Sequence, residues 1–459
     1  MKLVILGGGG FRVPLVYDAV ATNALSASGR PAVDITEVVL HDTSASRLEA
    51  IGRVIGERAR QLVDPPSLRV TTDLRDALVG AHFVFAAIRV GGSEGRIADE
   101  RVALNLGLLG QETVGPGGLA YALRTVPVMR RVAETIADVA PEAWTINFTN
   151  PAGIVTQAMR TVLGDRVVGI CDTPIGLVRR VSRLLGVSLE HDRDRVDYDY
   201  VGLNHLGWLR SVSVDGVDRL PGLLASDDAL EHVEEARLLG KPWVRAMGAL
   251  PNEYLYYYWK TDEAIRNIRV ATQTRGQYLN VQQGRFYDAV ACCESPLGLW
   301  RDALHEREAT YMAEAREGDE ARHDEDVAGG GYQEVALRLM TALASGAPDS
   351  MILDVGNGSS TGRIVPELPD DVVVEVGCVA DGAGVHPQPI APVTLQQLGQ
   401  MSTLRAAEQA IAEAALTRSR DKAWEGFSVH PLVASPRLGK ALLDGYAAAH
   451  PSIAELFQG

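Results

Sequence analysis

The chain begins with Met1-Lys-Leu-Val-Ile-Leu-Gly-Gly-Gly-Gly10, an apolar run that leads into four consecutive glycines. The apolar run is typical of a buried β-strand, and residues 12–24 have the periodicity of a helix. Between a strand and a helix, glycines let backbone amides approach a pyrophosphate at the helix N-terminus. Arg12 stands where the third glycine of G-x-G-x-x-G would lie, so a simple tight turn is the alternative. We predict a dinucleotide-binding loop without the strict spacing.

An aspartate follows the second predicted strand. A carboxylate at Asp42 would accept hydrogen bonds from an adenosine ribose and repel a 2′-phosphate, which favours NAD over NADP. Asp42 would also suit the cap of a helix starting near Ser44, and the two roles are compatible. The candidate cofactor-binding residues are Gly7, Gly8, Gly9, Gly10, Phe11 and Asp42.

Short apolar runs alternate with helical patterns in the first part of the chain. The predicted strands are 3–6, 37–40, 82–87, 144–148 and 167–170, and the predicted helices are 12–24, 46–62, 122–139 and 153–163. This alternation predicts an α/β fold with a doubly wound, Rossmann-type parallel sheet over residues 1–195.

The pattern changes in residues 196–459, where we predict a second, mainly helical α+β domain. Its predicted helices are 227–239, 299–316, 332–344 and 404–418, with one strand pair at 351–355 and 372–379. The acidic stretch 317–326 predicts a surface loop or a poorly ordered segment.

Composition narrows the class of protein. The chain has 459 residues, 46% of them hydrophobic, and a formal net charge of −15, which disfavours binding to nucleic acid or to anionic membranes. Only four cysteines occur, and no apolar run reaches the roughly 20 residues that a membrane-spanning helix needs. We therefore expect a cytoplasmic enzyme with no membrane span.

Polar motifs lie at or just beyond the ends of predicted strands, where ligands bind in parallel sheets. Cys171 and His205 are a plausible soft ligand pair for a divalent transition metal, and a buried inert thiol with a core histidine is the alternative. Asp172 is a candidate acid or base, or the cap of a helix that contains Pro174.

Several motifs taken together resemble glycoside hydrolase family 4, and within it most closely the 6-phospho-β-glucosidases. They are Gln111-Glu-Thr, Asn147-Phe-Thr-Asn-Pro151, Cys171-Asp-Thr-Pro-Ile-Gly176, Gly202-Leu-Asn-His205 and Pro251-Asn-Glu-Tyr-Leu-Tyr-Tyr-Tyr258. The likeness runs from the glycine loop to Ser428-Val-His-Pro-Leu432, which is nearly the whole chain.

The resemblance implies a two-domain fold related to lactate and malate dehydrogenases, with NAD and a divalent metal, typically Mn²⁺. It implies hydrolysis of a phosphorylated disaccharide or glucoside by oxidation at C3, deprotonation at C2, elimination, water addition and re-reduction. NAD-dependent glycosidases are exceptions to the usual two-carboxylate mechanism, so a missing carboxylate pair is no objection.

The resemblance also implies roles for single residues. Cys171 and His205 match the metal ligands, Tyr254 matches the base that acts at C2, and Asn150 and Asp172 match substrate-contacting positions, with Asp172 also a candidate catalytic acid. We count Asn204 among the candidate substrate-binding residues. The Asn150–Pro151 peptide suits either a cis or a trans bond.

The chain also departs from the 6-phospho-β-glucosidase pattern. Asp172 stands where those enzymes usually have Asn, and an Asp there is typical of 6-phospho-α-glucosidases. Phe11-Arg-Val13 replaces a hydroxyl-rich loop, and Tyr256 replaces an Arg. A 6-phospho-α-glucosidase and a glycosidase for unphosphorylated sugars therefore stay as alternatives.

Two arginines after the third predicted strand, Arg89 and Arg96, are candidates for binding the substrate. The alternative is that they pair with Asp99 and Glu100. A 2-hydroxy-acid dehydrogenase and a nucleotide-binding sensor are competing functions, and a homo-oligomer is expected.

Overall fold

The computed structural model describes residues 1–23, 33–189, 191–312, 315, 331–359 and 362–458. Its first half contains six parallel strands in the order β3-β2-β1-β4-β5-β6. They are β1 (Lys2–Leu6), β2 (Glu37–His41), β3 (Ser67–Thr71), β4 (Phe83–Ala86), β5 (Trp144–Asn147) and β6 (Val167–Gly169). This order confirms the doubly wound parallel sheet, with β3 as a strand that the sequence analysis missed.

Helices connect these strands. They are α1 (Val13–Ala21), α2 (Ala45–Ala59), α3 (Leu74–Leu78), α4 (Gly92–Asn105), α5 (Pro116–Val139), α6 (Ala152–Leu163) and α7 (Thr173–Leu184). Short 3-10 helices, Gly164–Arg166 and Arg193–Arg195, precede β6 and β7.

The sheet continues into the second half as antiparallel strands, in the order β6-β11-β14-β7-β8-β10. The strands are β7 (Val196–Leu203), β8 (Leu206–Val214), β9 (Val217–Asp218), β10 (Leu250–Pro251), β11 (Asp349–Gly356), β12 (Gly358–Ser359), β13 (Gly362–Arg363), β14 (Val373–Asp381) and β15 (Gly384–Pro387). The predicted strand pair is β11 with β14, and the β7–β8 hairpin was missed. A single sheet continues past residue 195, from β6 to β11. The domain boundary predicted there stays a prediction.

The helices of the second half surround this extension. They are α8 (Leu220–Ala225), α9 (Asp227–Glu231), α10 (Glu234–Leu239), α11 (Lys241–Met247), α12 (Leu255–Trp259), α13 (Thr261–Val270), α14 (Arg275–Val290), α15 (Pro296–Ala309), α16 (Tyr332–Ser345), α17 (Leu395–Thr417), α18 (Arg420–Val429), α19 (Pro436–Ala449) and α20 (Pro451–Leu456). The single helix predicted over 227–239 is wrong, because the chain forms two short helices there, α9 and α10. The loop predicted at 317–326 lies outside the described residues.

The C-terminal helices pack back onto the first half of the chain. Phe427 of α18 and Tyr446 of α19 are buried in one apolar cluster with Leu119 and Leu123 of α5. Burial of apolar side chains is the main stabilising term here, at about 25 cal/mol per Å². Among the described residues, no helix is long and apolar enough to cross a membrane.

Candidate active site

The glycine loop lies at the carboxyl end of β1, beside the ends of β2 and β4. Gly7 has a φ of +82°, and a Cβ there would lie 2.4 Å from the carbonyl oxygen of Ala87. A Cβ on Gly8 would lie 2.6 Å from that of Leu40. Only glycine fits such close approaches, so the loop is built for tight contact between strand ends.

Asp42 faces this loop. Its Oδ2 accepts a hydrogen bond from the Gly9 amide at 3.1 Å, and its Oδ1 accepts one from the Ser44 amide at 3.0 Å. The cap of α2 is Ser44 itself, whose hydroxyl accepts from the Arg47 amide. Asp42 therefore supports the start of α2 without being its cap, and it connects that helix to the glycine loop.

Three aromatic side chains from the second half hold the backbone of the loop. Tyr287 donates to the carbonyl oxygen of Gly9 at 2.7 Å, Trp300 to that of Phe11 at 2.8 Å, and Tyr332 to that of Arg12 at 2.8 Å. The C=O and the following N–H of a trans peptide point in opposite directions, so donors on one side orient amides towards the other. We call Tyr287, Trp300 and Tyr332 the aromatic clamp.

The side chain of Phe11 packs into the protein core. Its ring meets Phe286 edge to face, with centroids 5.2 Å apart, and lies 6.4 Å from the ring of Trp300. Any contact of Phe11 with a cofactor would therefore come from its backbone.

The carboxyl end of β6 carries the candidate thiol. Cys171 is buried, and Asp172 occupies the N-cap position of α7, although its side chain makes no capping hydrogen bond. Instead the Asp172 carboxylate lies 3.8 Å from the guanidinium of Arg12 in the glycine loop. Asp172 therefore stands at the predicted capping position, but its side chain does not cap the helix.

His205 and Tyr254 come together although 49 positions separate them in the sequence. Their rings stack with centroids 3.8 Å apart and planes inclined by 19°. His205 lies in the β7–β8 turn with a φ of +64°, and Tyr254 is the residue before α12. The Tyr254 hydroxyl contacts that of Tyr311 at 3.0 Å, and Tyr311 donates to Glu253 at 2.7 Å.

Burial governs the ionisation of this group. Burial lowers the pKa of His205 to about 4, against the effect of Glu112, so the imidazole is neutral and able to bind a metal. Burial, then the charges of Glu375 and Asp172, raises the pKa of the Cys171 thiol. Burial, then Glu253 and Cys171, raises the pKa of Tyr254. A nearby cation would favour the anionic forms of Cys171 and Tyr254.

The candidate arginines pair with carboxylates. Arg96 contacts Glu100 at 2.8 Å and Glu112 at 2.9 Å, and Arg89 also pairs with Glu112. Burial would raise the pKa of Glu112, but Arg89 and Arg96 lower it to about 2. The pairing predicted between Arg96 and Glu100 is confirmed, while Asp99 pairs with Arg124 instead.

The two candidate asparagines differ in their contacts. The Oδ1 atom of Asn150 is buried without a hydrogen-bond partner, and the Asn150–Pro151 peptide is cis. Asn204 donates to Glu375 at 3.3 Å. An orphaned buried oxygen suits a donor on a ligand, which keeps Asn150 a candidate for substrate contact.

Glu112, Tyr311 and Glu375 were not among the predicted site residues. Glu112 is the glutamate of the Gln111-Glu-Thr motif that follows α4, so this motif was a usable signal. Tyr311 and Glu375 belong to no such motif, and their partners are distant in sequence.

Comparisons with known proteins identify the family. A model described as "Family 4 glycosyl hydrolase" matches residues 2–187, and one for the C-terminal domain of that family matches residues 200–433. The chain is 30% identical to a probable 6-phospho-beta-glucosidase of Bacillus subtilis, with 98% of this chain and 96% of the relative covered. It is 27% identical to a maltose-6′-phosphate glucosidase of the same species, over 91% and 89% of the two chains.

Solved structures agree. A 6-phospho-alpha-glucosidase from gut microorganisms, in complex with NAD and Mn²⁺, superposes with a TM-score of 0.79 at 25% identity over 98% of both chains. The 6-phospho-beta glucosidase of Thermotoga maritima, with NAD and glucose-6-phosphate, shares the fold with a TM-score of 0.82 at 24% identity over 99% of both chains.

The family models that match both halves of the chain define a glycosidase. The chain belongs to glycosyl hydrolase family 4. The resemblance inferred from the motifs is confirmed, and a hydroxy-acid dehydrogenase and a nucleotide-binding sensor are set aside.

Proposed function

We propose that the protein hydrolyses 6-phospho-β-glucosides with NAD and Mn²⁺. The relative at 30% identity is described as a probable 6-phospho-beta-glucosidase, which supports this anomer. Asp172 and the maltose-6′-phosphate glucosidase relative favour a 6-phospho-α-glucosidase as the second candidate.

A cluster of arginines around Arg307 carries the proposal. Burial and the positive charges of three neighbouring arginines lower the pKa of Arg307 to about 9. These neighbours are Arg12, Arg275 and Arg96. Glu308 acts in the opposite direction. Carboxylates are present as well, since Glu112 also acts electrostatically on Arg307, so the support for the proposal is the proximity of several guanidinium groups. A phosphate dianion is the ligand that guanidinium groups bind well.

The residues present suit both cofactors. The glycine loop and Asp42 would hold the NAD pyrophosphate and ribose. The described part of the chain offers no group of three or more His, Cys, Asp or Glu side chains arranged for a metal ion. Cys171 and His205 would therefore share Mn²⁺ with oxygens of the sugar or of water. When bound, NAD supplies hydride exchange at C3 and Mn²⁺ stabilises negative charge on the sugar.

The chain's own residues would handle the substrate and its protons. Tyr254, in the phenolate form that a nearby cation would favour, would accept the proton of sugar C2, with its oxygen held 3.0 Å from the Tyr311 hydroxyl. Asp172, held near Arg12, would act on the leaving oxygen. The sugar hydroxyls would meet Asn150 and Asn204, and the arginines Arg89 and Arg96 would stand at the rim of the phosphate pocket.

An assay with nitrophenyl glucosides tests the proposal. Both anomers, with and without the 6-phosphate, are incubated with NAD, Mn²⁺ and reductant. We expect cleavage of the 6-phospho-β-glucoside. Cleavage of the α anomer alone would overturn the proposed β specificity. Equal cleavage of substrates with and without the 6-phosphate would overturn the proposed binding of phosphate by the arginines. If no glucoside is cleaved under any condition, the proposed hydrolysis is wrong.

A reducing compartment and self-association complete the proposal. All four cysteines are unpaired, which suits the cytoplasm. A homo-oligomer would be checked by size-exclusion chromatography with light scattering, and a monomer across micromolar concentrations would contradict it.

A further inference from the structure

A buried glutamate is linked by hydrogen bonds to the segments that carry His205 and Tyr254, and it has no part in the proposed chemistry. Glu375 of β14 is 2% exposed and lies opposite Asp354 of β11 and Gly202 of β7 in the sheet. Burial and then Asp354 raise the pKa of Glu375, while hydrogen bonds from Tyr200 and Asn204 act in the opposite direction. A carboxyl group removed from water needs hydrogen-bond donors, so the contacts of Glu375 are informative.

One contact of Glu375 supports the turn that carries His205. Asn204 donates its side-chain amide to Oε1 of Glu375 at 3.3 Å. The next residue, His205, has a φ of +64°, in the left-handed region that residues other than glycine rarely adopt. Such a conformation persists only where the surroundings stabilise it. Glu375 provides part of that support.

The other contact leads to Tyr254. Tyr200 donates its hydroxyl to Oε2 of Glu375 at 2.9 Å, and Asn252 donates to the Tyr200 oxygen at 3.3 Å. The Oδ1 atom of Asn252 accepts from the backbone amide of Tyr254 at 2.9 Å. Tyr200 and Asn252 are 1% and 0% exposed. This chain of hydrogen bonds is closed to competing water.

We propose that Glu375 is a positioning residue that fixes the His205 turn and the Tyr254 backbone relative to each other. The proposal rests on the proposed function of His205 as a metal ligand and Tyr254 as a base. The carboxyl group of Glu375 presents one oxygen to each of two diverging donors, whereas glutamine has only one side-chain oxygen. Since the two rings stack at 3.8 Å, displacement of either segment changes the distance between base and metal ligand.

Two variants separate the two branches of this network. Tyr200→Phe removes only the branch to Tyr254, so kcat should fall about 10-fold to 100-fold while KM and the Kd for Mn²⁺ stay within about twofold. Glu375→Gln disturbs both branches and should also raise the Kd for Mn²⁺ about 10-fold. The matched control is Tyr198→Phe, which removes a buried hydroxyl without a partner from the same strand.

The measurements are kcat and KM for the cleaved glucoside, Mn²⁺ binding by electron paramagnetic resonance, and a melting curve for each variant. If these residues had a merely structural role, the variants would lose stability, but Tyr200→Phe would not lower kcat while leaving the Kd for Mn²⁺ unchanged. The proposal is overturned if folded Glu375→Gln matches the wild type in both, or if Tyr200→Phe behaves like Tyr198→Phe. If Glu375→Gln does not fold, the comparison of Tyr200→Phe with Tyr198→Phe by itself decides the proposal.

Failure of the proposed function has a different signature. In that case the wild-type protein cleaves no glucoside, and the Mn²⁺ affinities of the Glu375→Gln and wild-type proteins still test the His205 branch. Equal Mn²⁺ affinities would then overturn the positioning role.

Discussion

The ring of Tyr254 lies face to face with the imidazole of His205, with centroids 3.8 Å apart. The stack places the proposed base directly beside the proposed metal ligand, and the Tyr254 hydroxyl separately contacts that of Tyr311 at 3.0 Å. Orientation of this kind lowers the barrier of a proton transfer by removing the search for the reactive geometry. The stack and the hydroxyl contact can be tested apart from each other.

Tyr254→Phe keeps the aromatic stack and removes the hydroxyl. We expect kcat to fall at least about 100-fold, and solvent deuterium to stop entering sugar C2, because general bases contribute about 10²-fold to 10⁴-fold. The exchange is followed by nuclear magnetic resonance or mass spectrometry. Tyr256→Phe, which changes a buried tyrosine two residues away, should retain exchange. Full exchange in Tyr254→Phe would exclude this residue as the base.

Arg307→Gln removes one cation from the proposed phosphate pocket. The KM for the 6-phosphoglucoside should rise about 10-fold or more, since a charge-assisted hydrogen bond contributes roughly 1.5–3 kcal/mol. The rate with the unphosphorylated glucoside should not change. Arg301→Gln, at an exposed position of the same helix α15, is the control. An equal loss for both substrates would mean that Arg307 does not recognise phosphate.

Trp300→Phe removes one donor of the aromatic clamp and retains a ring to pack against Phe11. The carbonyl oxygen of Phe11 then loses its partner, so we expect the Kd for NAD to rise about threefold to tenfold. Isothermal titration calorimetry measures this affinity directly. Trp243→Phe, at a position where the residue is 47% exposed, should bind NAD like the wild type. Unchanged affinity in Trp300→Phe would show that the clamp does not shape the cofactor loop.

His430 makes the stability depend on pH. Burial lowers its pKa from 6.5 to about 3, and its Nδ1 accepts from the Leu432 amide at 3.1 Å. Below pH 6.5 the unfolded chain gains a proton there and the folded chain does not, so the stability present at pH 8 falls as the pH is lowered. At one pH unit below 6.5, this difference lowers the free energy of unfolding by about 1.4 kcal/mol.

The substitution His430→Asn keeps an acceptor and removes this titration. The loss of unfolding free energy between pH 8 and pH 5.5, measured with urea, should therefore shrink by about 1.4 kcal/mol. His232→Asn changes an exposed histidine and serves as the control. A pH dependence in His430→Asn equal to that of the wild type would contradict the assignment.

Much of the fold followed from the sequence because buried parallel strands are continuous apolar runs, as in β1 and β4. Helix α4 was missed for the opposite reason. Its buried face carries Arg96, Asp99 and Glu100, whose charges are paired in the core, so the apolar periodicity of a helix is absent. Strand β3 lies at the edge of the sheet with its side chains partly exposed, and its pattern was correspondingly weak.

The site divides in the same way. Cys171, His205 and Tyr254 stand in local motifs, and these motifs led to their prediction as site residues. Glu375 and Tyr311 gain meaning only from partners more than 50 positions away, which one sequence does not reveal.

The aromatic clamp means that the nucleotide loop is not a transplantable module. Residues 1–195 contain the whole glycine loop, yet three of the hydrogen bonds that shape it are donated by Tyr287, Trp300 and Tyr332. A chimera of two family members would keep the loop's shape only if the incoming second half placed equivalent donors at the same carbonyls. The two halves are therefore expected to change together under selection.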